Sequence, residues 1–139
     1  MKQLLLVLIS VLALQSQSTL AASTEEQSRF LTAAKQAFEK KDVEALLALV
    51  CWDRVPDKFK ESRKKQYTRD FGDASGDIAL TDPDPNYPDH EWKDKDGISY
   101  RANLPVVKQL KIKTKIGNAI YPVGEKDGKL YLLAPAPVK

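Results

Sequence analysis

The chain's one histidine, His90, sits between Asp89 and Glu91 and is followed by Trp92. An imidazole beside a carboxylate is the usual equipment of a general base, because the neighbouring negative charge raises its proton affinity. Neighbouring side chains on extended backbone point in opposite directions, and there is no second histidine to complete a metal pair, so an exposed loop histidine is the competing role. Asp82, Asp84, Asp89, Glu91, Asp94 and Asp96 surround it with the oxygen donors that calcium takes. Their spacing departs from the EF-hand pattern: Tyr87 stands at the position of the obligatory glycine and Lys93 at that of the bidentate glutamate. The alternative is a solvated acidic loop. Cys51 would need a base to act as a nucleophile, and only His90 is on offer. With no second cysteine in the chain it is otherwise a small buried hydrophobe, or bonds another chain.

Binding chemistry has broader support. Lys111, Lys113 and Lys115 alternate along a strand, which places their ammonium groups about 7 Å apart on one face. With Arg101 or Lys108 they would meet an acidic partner, an anionic glycan or a lipid headgroup, or they protect the strand from aggregation. The segment with Lys58, Lys60, Arg63, Lys64, Lys65 and Arg69 carries the same two readings. Trp52, Tyr67, Trp92, Tyr100 and Tyr121 are the expected ligand-contact residues, since aromatics join large contact area to a polar handle. No phosphate-cradling glycine loop and no Cys-x-x-Cys zinc pair is present, so neither a metal, a cofactor nor a catalytic residue is assigned.

These residues must be held by a small exported domain. Lys2 precedes an unbroken apolar run from Leu4 to Leu14, and the small residues Ala21 and Ala22 follow a polar stretch. That order reads as a secretory signal peptide over residues 1–22, too short in its apolar part for a membrane-spanning helix. Residues 23–139 are then one domain, periplasmic or secreted, able to bury a core without staples. Ser23 stands where a lipoprotein would carry cysteine. The net charge of +3 is too small to argue for nucleic acid.

Ser23, Thr24, Glu26 and Gln27 have the spacing of a capping box, and Phe30, Leu31, Ala34 and Phe38 form an apolar helical stripe. Val43, Leu46, Leu47 and Val50 form another, so the sequence predicts a helical pair over 24–51, broken or bent at Asp42. After Val55-Pro56 a short surface helix is expected over 57–71, then a turn over 72–76. Strands are expected at Ile78–Leu80, at Ile98–Leu104 and at Leu110–Ile116, the last with Gln109 and the lysines facing water. The prolines between Asp82 and Asp89 exclude a ladder there. A hairpin closed at Asp127-Gly128 completes the sheet, with Leu130–Leu133 central in it and Pro135 and Pro137 ending it. Helices followed by antiparallel strands make this an α+β fold.

Two stretches carry a resemblance. Phe38-Glu-Lys-Lys-Asp42-Val-Glu-Ala-Leu46-Leu-Ala-Leu-Val50 is similar to the opening helices of the nuclear-transport-factor-2-like, or cystatin-like, superfamily. Asp127-Gly-Lys-Leu-Tyr-Leu132 resembles the last hairpin arm of those domains. The resemblance covers roughly half of residues 23–139. It implies a curved sheet of about four strands wrapped around the helices as a cone, with a ligand at its mouth. The Asp/His or Tyr/Asp constellations of the superfamily's enzymes have no residue-by-residue match here, and so no catalytic residues carry over. The expected function is a non-enzymatic exported domain that binds a small ligand or an envelope protein. The alternatives are a cone-fold enzyme using His90 with a carboxylate, or a calcium-binding adhesion or structural module.

Overall fold

The computed structural model describes residues 22–85 and 91–138. The expected signal peptide therefore lies outside the described residues except for Ala22, and so do Asp89 and His90.

Helix α1 runs from Thr24 to Lys40. The Ser23 hydroxyl caps it by accepting from the Glu26 amide at 3.1 Å. Glu26 does not close the reciprocal half of a capping box. Its carboxylate instead pairs with Arg29 and accepts the Leu130 amide at 3.0 Å, which ties the helix start to the C-terminal hairpin. Lys41 takes a left-handed conformation, with φ of 52°, and ends the helix. Asp42 then caps the short α2, Val43–Leu47, through the Ala45 amide at 3.1 Å. The helical pair thus breaks at Asp42. Of the two expected stripes, Phe30, Ala34, Phe38, Leu46, Leu47 and Val50 are buried in the core, while Leu31 and Val43 are partly buried against it; Ala37 joins the core beside them.

Helix α3, Asp57–Asp73, is longer than the sequence suggests and is not confined to the surface. Tyr67, Asp70 and Phe71 are buried, so its C-terminal half enters the core. Gly72 lies inside this helix and Gly76 inside the next strand, and no separate turn divides them. Helix passes directly to strand because Ala74 already has extended backbone.

The strands are β1 (Ala74–Thr81), β2 (Trp92–Lys93), β3 (Ser99–Ala102), β4 (Lys108–Thr114), β5 (Gly117–Lys126), β6 (Lys129–Leu132) and β7 (Pro135–Pro137). β1, β4, β5 and β6 form a strongly curled antiparallel sheet in the order β1-β4-β5-β6, and the helices come before it in the chain. The α+β class read from the sequence is the one observed. Ile112, Leu110, Tyr121, Val123, Leu130 and Leu132 join the helical apolar residues in one core. Alternation explains the arrangement: Leu110 and Ile112 are buried while Lys113 is exposed.

The strand expected at Ile98–Leu104 forms as β3 but does not join the curled sheet; it is the centre of a second sheet, in the order β2-β3-β7, whose other two strands the sequence did not suggest. Pro135 and Pro137 therefore do not end the sheet structure. They sit on β7, an edge strand, where a missing amide donor breaks no ladder. Three further expectations change. The apolar arm β6 is at the edge of its sheet, not its centre. It is apolar because chain leaving α2 covers that edge: the Cys51 amide donates to Leu132 O at 2.9 Å and the Leu132 amide to Leu49 O at 2.8 Å. Gln109 is fully buried and not turned to water, because the chain leaving β1 folds back and the Asp84 amide donates to its Oε1 at 3.2 Å. Ile116 is 95% exposed, since the β4–β5 ladder closes at Thr114 and Gly117 and leaves it at the turn.

Candidate functional site

The aromatic side chains fall into two groups. The interior group lies between the helices and the concave face of the curled sheet. There Phe38 meets Phe71 edge-on, with ring centres 4.8 Å apart, and Tyr67 lies 5.3 Å from Tyr121. The Tyr121 hydroxyl donates to Asp70 Oδ2 at 2.5 Å, and Arg69 Nε stands 3.7 Å from the other carboxylate oxygen. Burial, reinforced by Asp70, pushes Tyr121 well above the ordinary phenol range. Burial pushes Tyr67 up to about 12. Both phenols stay protonated near neutral pH; Tyr121 serves as a hydrogen-bond donor to Asp70, and both rings are buried among the side chains of the core.

This has a measurable consequence. Both tyrosines keep their protons in the native state to a higher pH than in the unfolded chain, where they titrate near 10.0. Above that pH the native state binds more protons than the unfolded state, so stability is whole below pH 10 and falls as pH rises through the folded-state value, about 12 for Tyr67. Urea midpoints measured from pH 9 to 11.5 should drop, and Tyr121→Phe should flatten the drop. Native tyrosinate absorbance contributed by Tyr67 or Tyr121 at pH 10 would refute this.

The exterior group is built where α3 meets the small sheet. Pro56 begins α3 with extended backbone, and Phe59 projects from the first turn of a helix whose residues 63, 66, 67, 70 and 71 follow it along the buried side. Trp92 on β2 and Tyr100 on β3 are direct cross-strand partners, so their side chains share one face. Their ring centres are 5.0 Å apart, and Phe59 lies edge-on to both, at 5.0 Å from Tyr100 and 5.8 Å from Trp92. Tyr100 is buried beneath, while Trp92 is 40% exposed and neighbouring Ile98 45%.

Lys58 Nζ completes the group. It lies 4.9 Å from the Tyr100 ring centre, 5.2 Å from that of Phe59 and 3.0 Å from Asp94 Oδ2. Asp94 is fixed by its own turn. Its Oδ1 accepts from the amides of Asp96 at 2.9 Å and Ile98 at 3.0 Å, and Gly97, with φ of 78°, lets the chain reverse. The Tyr100 hydroxyl and the Asp94 carboxylate hold Lys58 above the ordinary lysine range, and Lys58 holds Asp94 below the ordinary carboxylate range.

Of the expected contact residues, Trp92 and Tyr100 thus come together, Tyr67 and Tyr121 come together in the core, and Trp52 joins neither pair. Its Nε1 donates to Leu47 O at 3.2 Å, and Lys60 Nζ lies 5.7 Å from its ring. Phe59 is not among the expected contacts, Lys58 is expected only as part of a basic segment, and Asp94 only as one of the acidic-loop oxygen donors. The available signal was Phe59 itself, an aromatic residue in the first turn of a helix otherwise polar for two turns.

Cys51 is buried, and its only possible base, His90, lies outside the described residues. Asp82 pairs with Lys108 at 2.6 Å and Asp94 with Lys58. Among the described residues no three metal-ligating side chains gather at one point, and no helix is long and apolar enough to cross a membrane. Lys111 is half-buried, and Lys113 and Lys115 are exposed. No protein-family model, curated protein or solved structure matches the chain.

Proposed function

We propose that this protein is a non-enzymatic binding module, exported by way of residues 1–22, that engages its ligand through the outer aromatic face formed by Trp92, Phe59 and Ile98. The carrying observation is Trp92, a large ring kept partly exposed while Phe59 and Tyr100 fix its orientation. A pre-oriented tryptophan loses little conformational freedom on binding, which is why such residues dominate contact energies. Among the expected contact aromatics Tyr67, Tyr100 and Tyr121 are buried, which favours the exposed Trp92 as the point of recognition. Membership of the nuclear-transport-factor-2-like superfamily is part of the same proposal and rests on the Phe38–Val50 and Asp127–Leu132 stretches.

Native mass spectrometry of protein purified gently after export tests the reading. An added mass removed by denaturation is expected, absent from Trp92→Ala and present in Tyr121→Phe. An added mass indifferent to Trp92 would place the ligand elsewhere. Processing after Ala22, seen as the mass of a chain starting at Ser23, checks the export half of the proposal.

A further inference from the structure

We infer that the Phe59–Tyr100–Asp94 cluster is a site for a small organic ammonium group, and that Lys58 occupies it as a displaceable internal stand-in. This rests on the reading of the Trp92 face as the binding surface and gives that surface a ligand class.

Cation recognition by aromatic faces requires a positive centre within about 6 Å of a ring centre, in surroundings that limit its contact with water. The Lys58 ammonium meets the distance requirement twice, at Phe59 and at Tyr100, and the covered partners beside it are Tyr100 and the Asp94 carboxylate. Trp92 packs against both rings, edge-on to Phe59 and tilted by 31° to Tyr100. The carboxylate is equally prepared. The Asp94 side chain is mostly shielded, and two backbone amides hold one oxygen so that the other is turned to the cation. These walls come from α3, from β3 and from the β2–β3 turn, none of which needs Lys58 to define its path.

The occupant differs from its walls. The Lys58 side chain is half exposed, whereas that of Asp94 is largely covered. Lysine is a flexible four-carbon tether, and swinging it into water breaks one ion pair that an incoming cation re-forms. Alkylammonium groups of the choline type fit the resulting vacancy: they carry the same charge, need few hydrogen-bond partners and gain most from ring faces. Lys58 then acts as an internal competitor, and observed affinity is the intrinsic affinity reduced by the fraction of molecules in which the lysine is out.

The test uses tetramethylammonium chloride, with sodium chloride as the ionic-strength match. Trp92 emission is followed in a Trp52→Phe background, and the amide resonances of Asp96 and Ile98, which donate to Asp94, give an independent readout. Lys58→Ala should bind at least about tenfold more tightly than the parent, the value expected if the lysine is in place nine-tenths of the time. Adding Asp94→Asn should weaken that binding at least about tenfold. Asparagine keeps an oxygen for the turn amides, so the fold survives the change. Lys60→Ala removes a positive charge from the same helix away from the site, and should leave the parent affinity within about twofold. The inference is overturned if Lys58→Ala gives no saturable response by either readout, if Asp94→Asn leaves the response unchanged, or if Lys60→Ala tightens binding as much as Lys58→Ala.

Choline and phosphatidylcholine vesicles separate the two natural sources of this chemistry. Vesicle co-sedimentation lost with Asp94→Asn assigns a lipid headgroup, choline binding alone assigns a free solute, and failure of both overturns the ligand class. A silent ammonium titration beside a mass adduct that depends on Trp92 would refute the ammonium assignment and leave the binding surface standing. Loss of both would remove the two together.

Discussion

Replacing Asn103 with alanine should cost about 3 kcal/mol of stability and lower the melting temperature by on the order of 10 °C. Asn103 is buried where the chain passes between the two sheets. Its Nδ2 donates to Cys51 O at 2.8 Å and Asp53 O at 3.2 Å, and its Oδ1 accepts from the Ala134 amide at 3.2 Å. Its own amide donates to Ala134 O at 3.0 Å, and Arg54 donates to its carbonyl at 2.9 Å. One side chain thereby fastens the exit of α2, the end of β3 and the link from β6 to β7. Alanine would strand buried backbone groups of Cys51 and Ala134 and leave a small void.

The isosteric Asn103→Asp provides a check that packing loss alone cannot mimic. A carboxylate facing two carbonyl oxygens in a buried site is held in its neutral form, so its folded-state pKa lies above the unfolded value of about 3.9. The native state then holds a proton that the unfolded chain has released. The deficit of this variant against the parent should therefore grow as pH is raised from about 4 to 7. A deficit independent of pH, or an alanine variant that melts like the parent, would contradict the role given to Asn103.

Gly124→Ala is the second large effect, about 2–3 kcal/mol. A Cβ built on Gly124 would lie 2.8 Å from Leu133 Cδ2, 2.9 Å from Leu104 Cβ and 3.0 Å from Pro105 O. The leucine tip can rotate. Leu104 Cβ and the Pro105 carbonyl are fixed, because the same crossing segment donates the Val107 amide to Val123 O at 2.8 Å. Glycine is required here by close approach of chain across β5, and positive φ is not involved. Gly72→Ala supplies the contrast: its position is helical and open, with nothing within 4 Å of the added methyl. That change should be neutral or stabilise by up to about 1 kcal/mol. Equal urea midpoints for the two variants would refute the crowding argument.

The candidate site was only half legible. Trp92 and Tyr100 were singled out as aromatic residues, but nothing in their order reveals that α3 brings Phe59 and Lys58 against them from 33 to 42 residues away. Phe59 read as part of a thin helical stripe, Lys58 as surface charge and Asp94 as a dilute acidic loop. All three readings are true locally. Their joint meaning appears once the helix start lies across the β2–β3 face.

By itself the sequence determined what depends on near neighbours. Ser23 and Asp42 cap helices because a side-chain oxygen reaches an amide three residues on. Leu110 and Ile112 turn inward together because strand side chains alternate. Asp127 and Gly128 form the turn because both adopt positive φ, 52° and 78°. Tertiary structure alone decided what depends on distant coverage. Gln109 is polar yet buried because remote chain roofs it, β6 is apolar at an edge because residues 49–51 cover that edge, and β7 forms although it carries two prolines because, as an edge strand, it pairs with β3 on one side only. Local rules act through bonds of fixed length. Burial is set by whichever segment arrives from elsewhere, and that is a property of the whole packed chain.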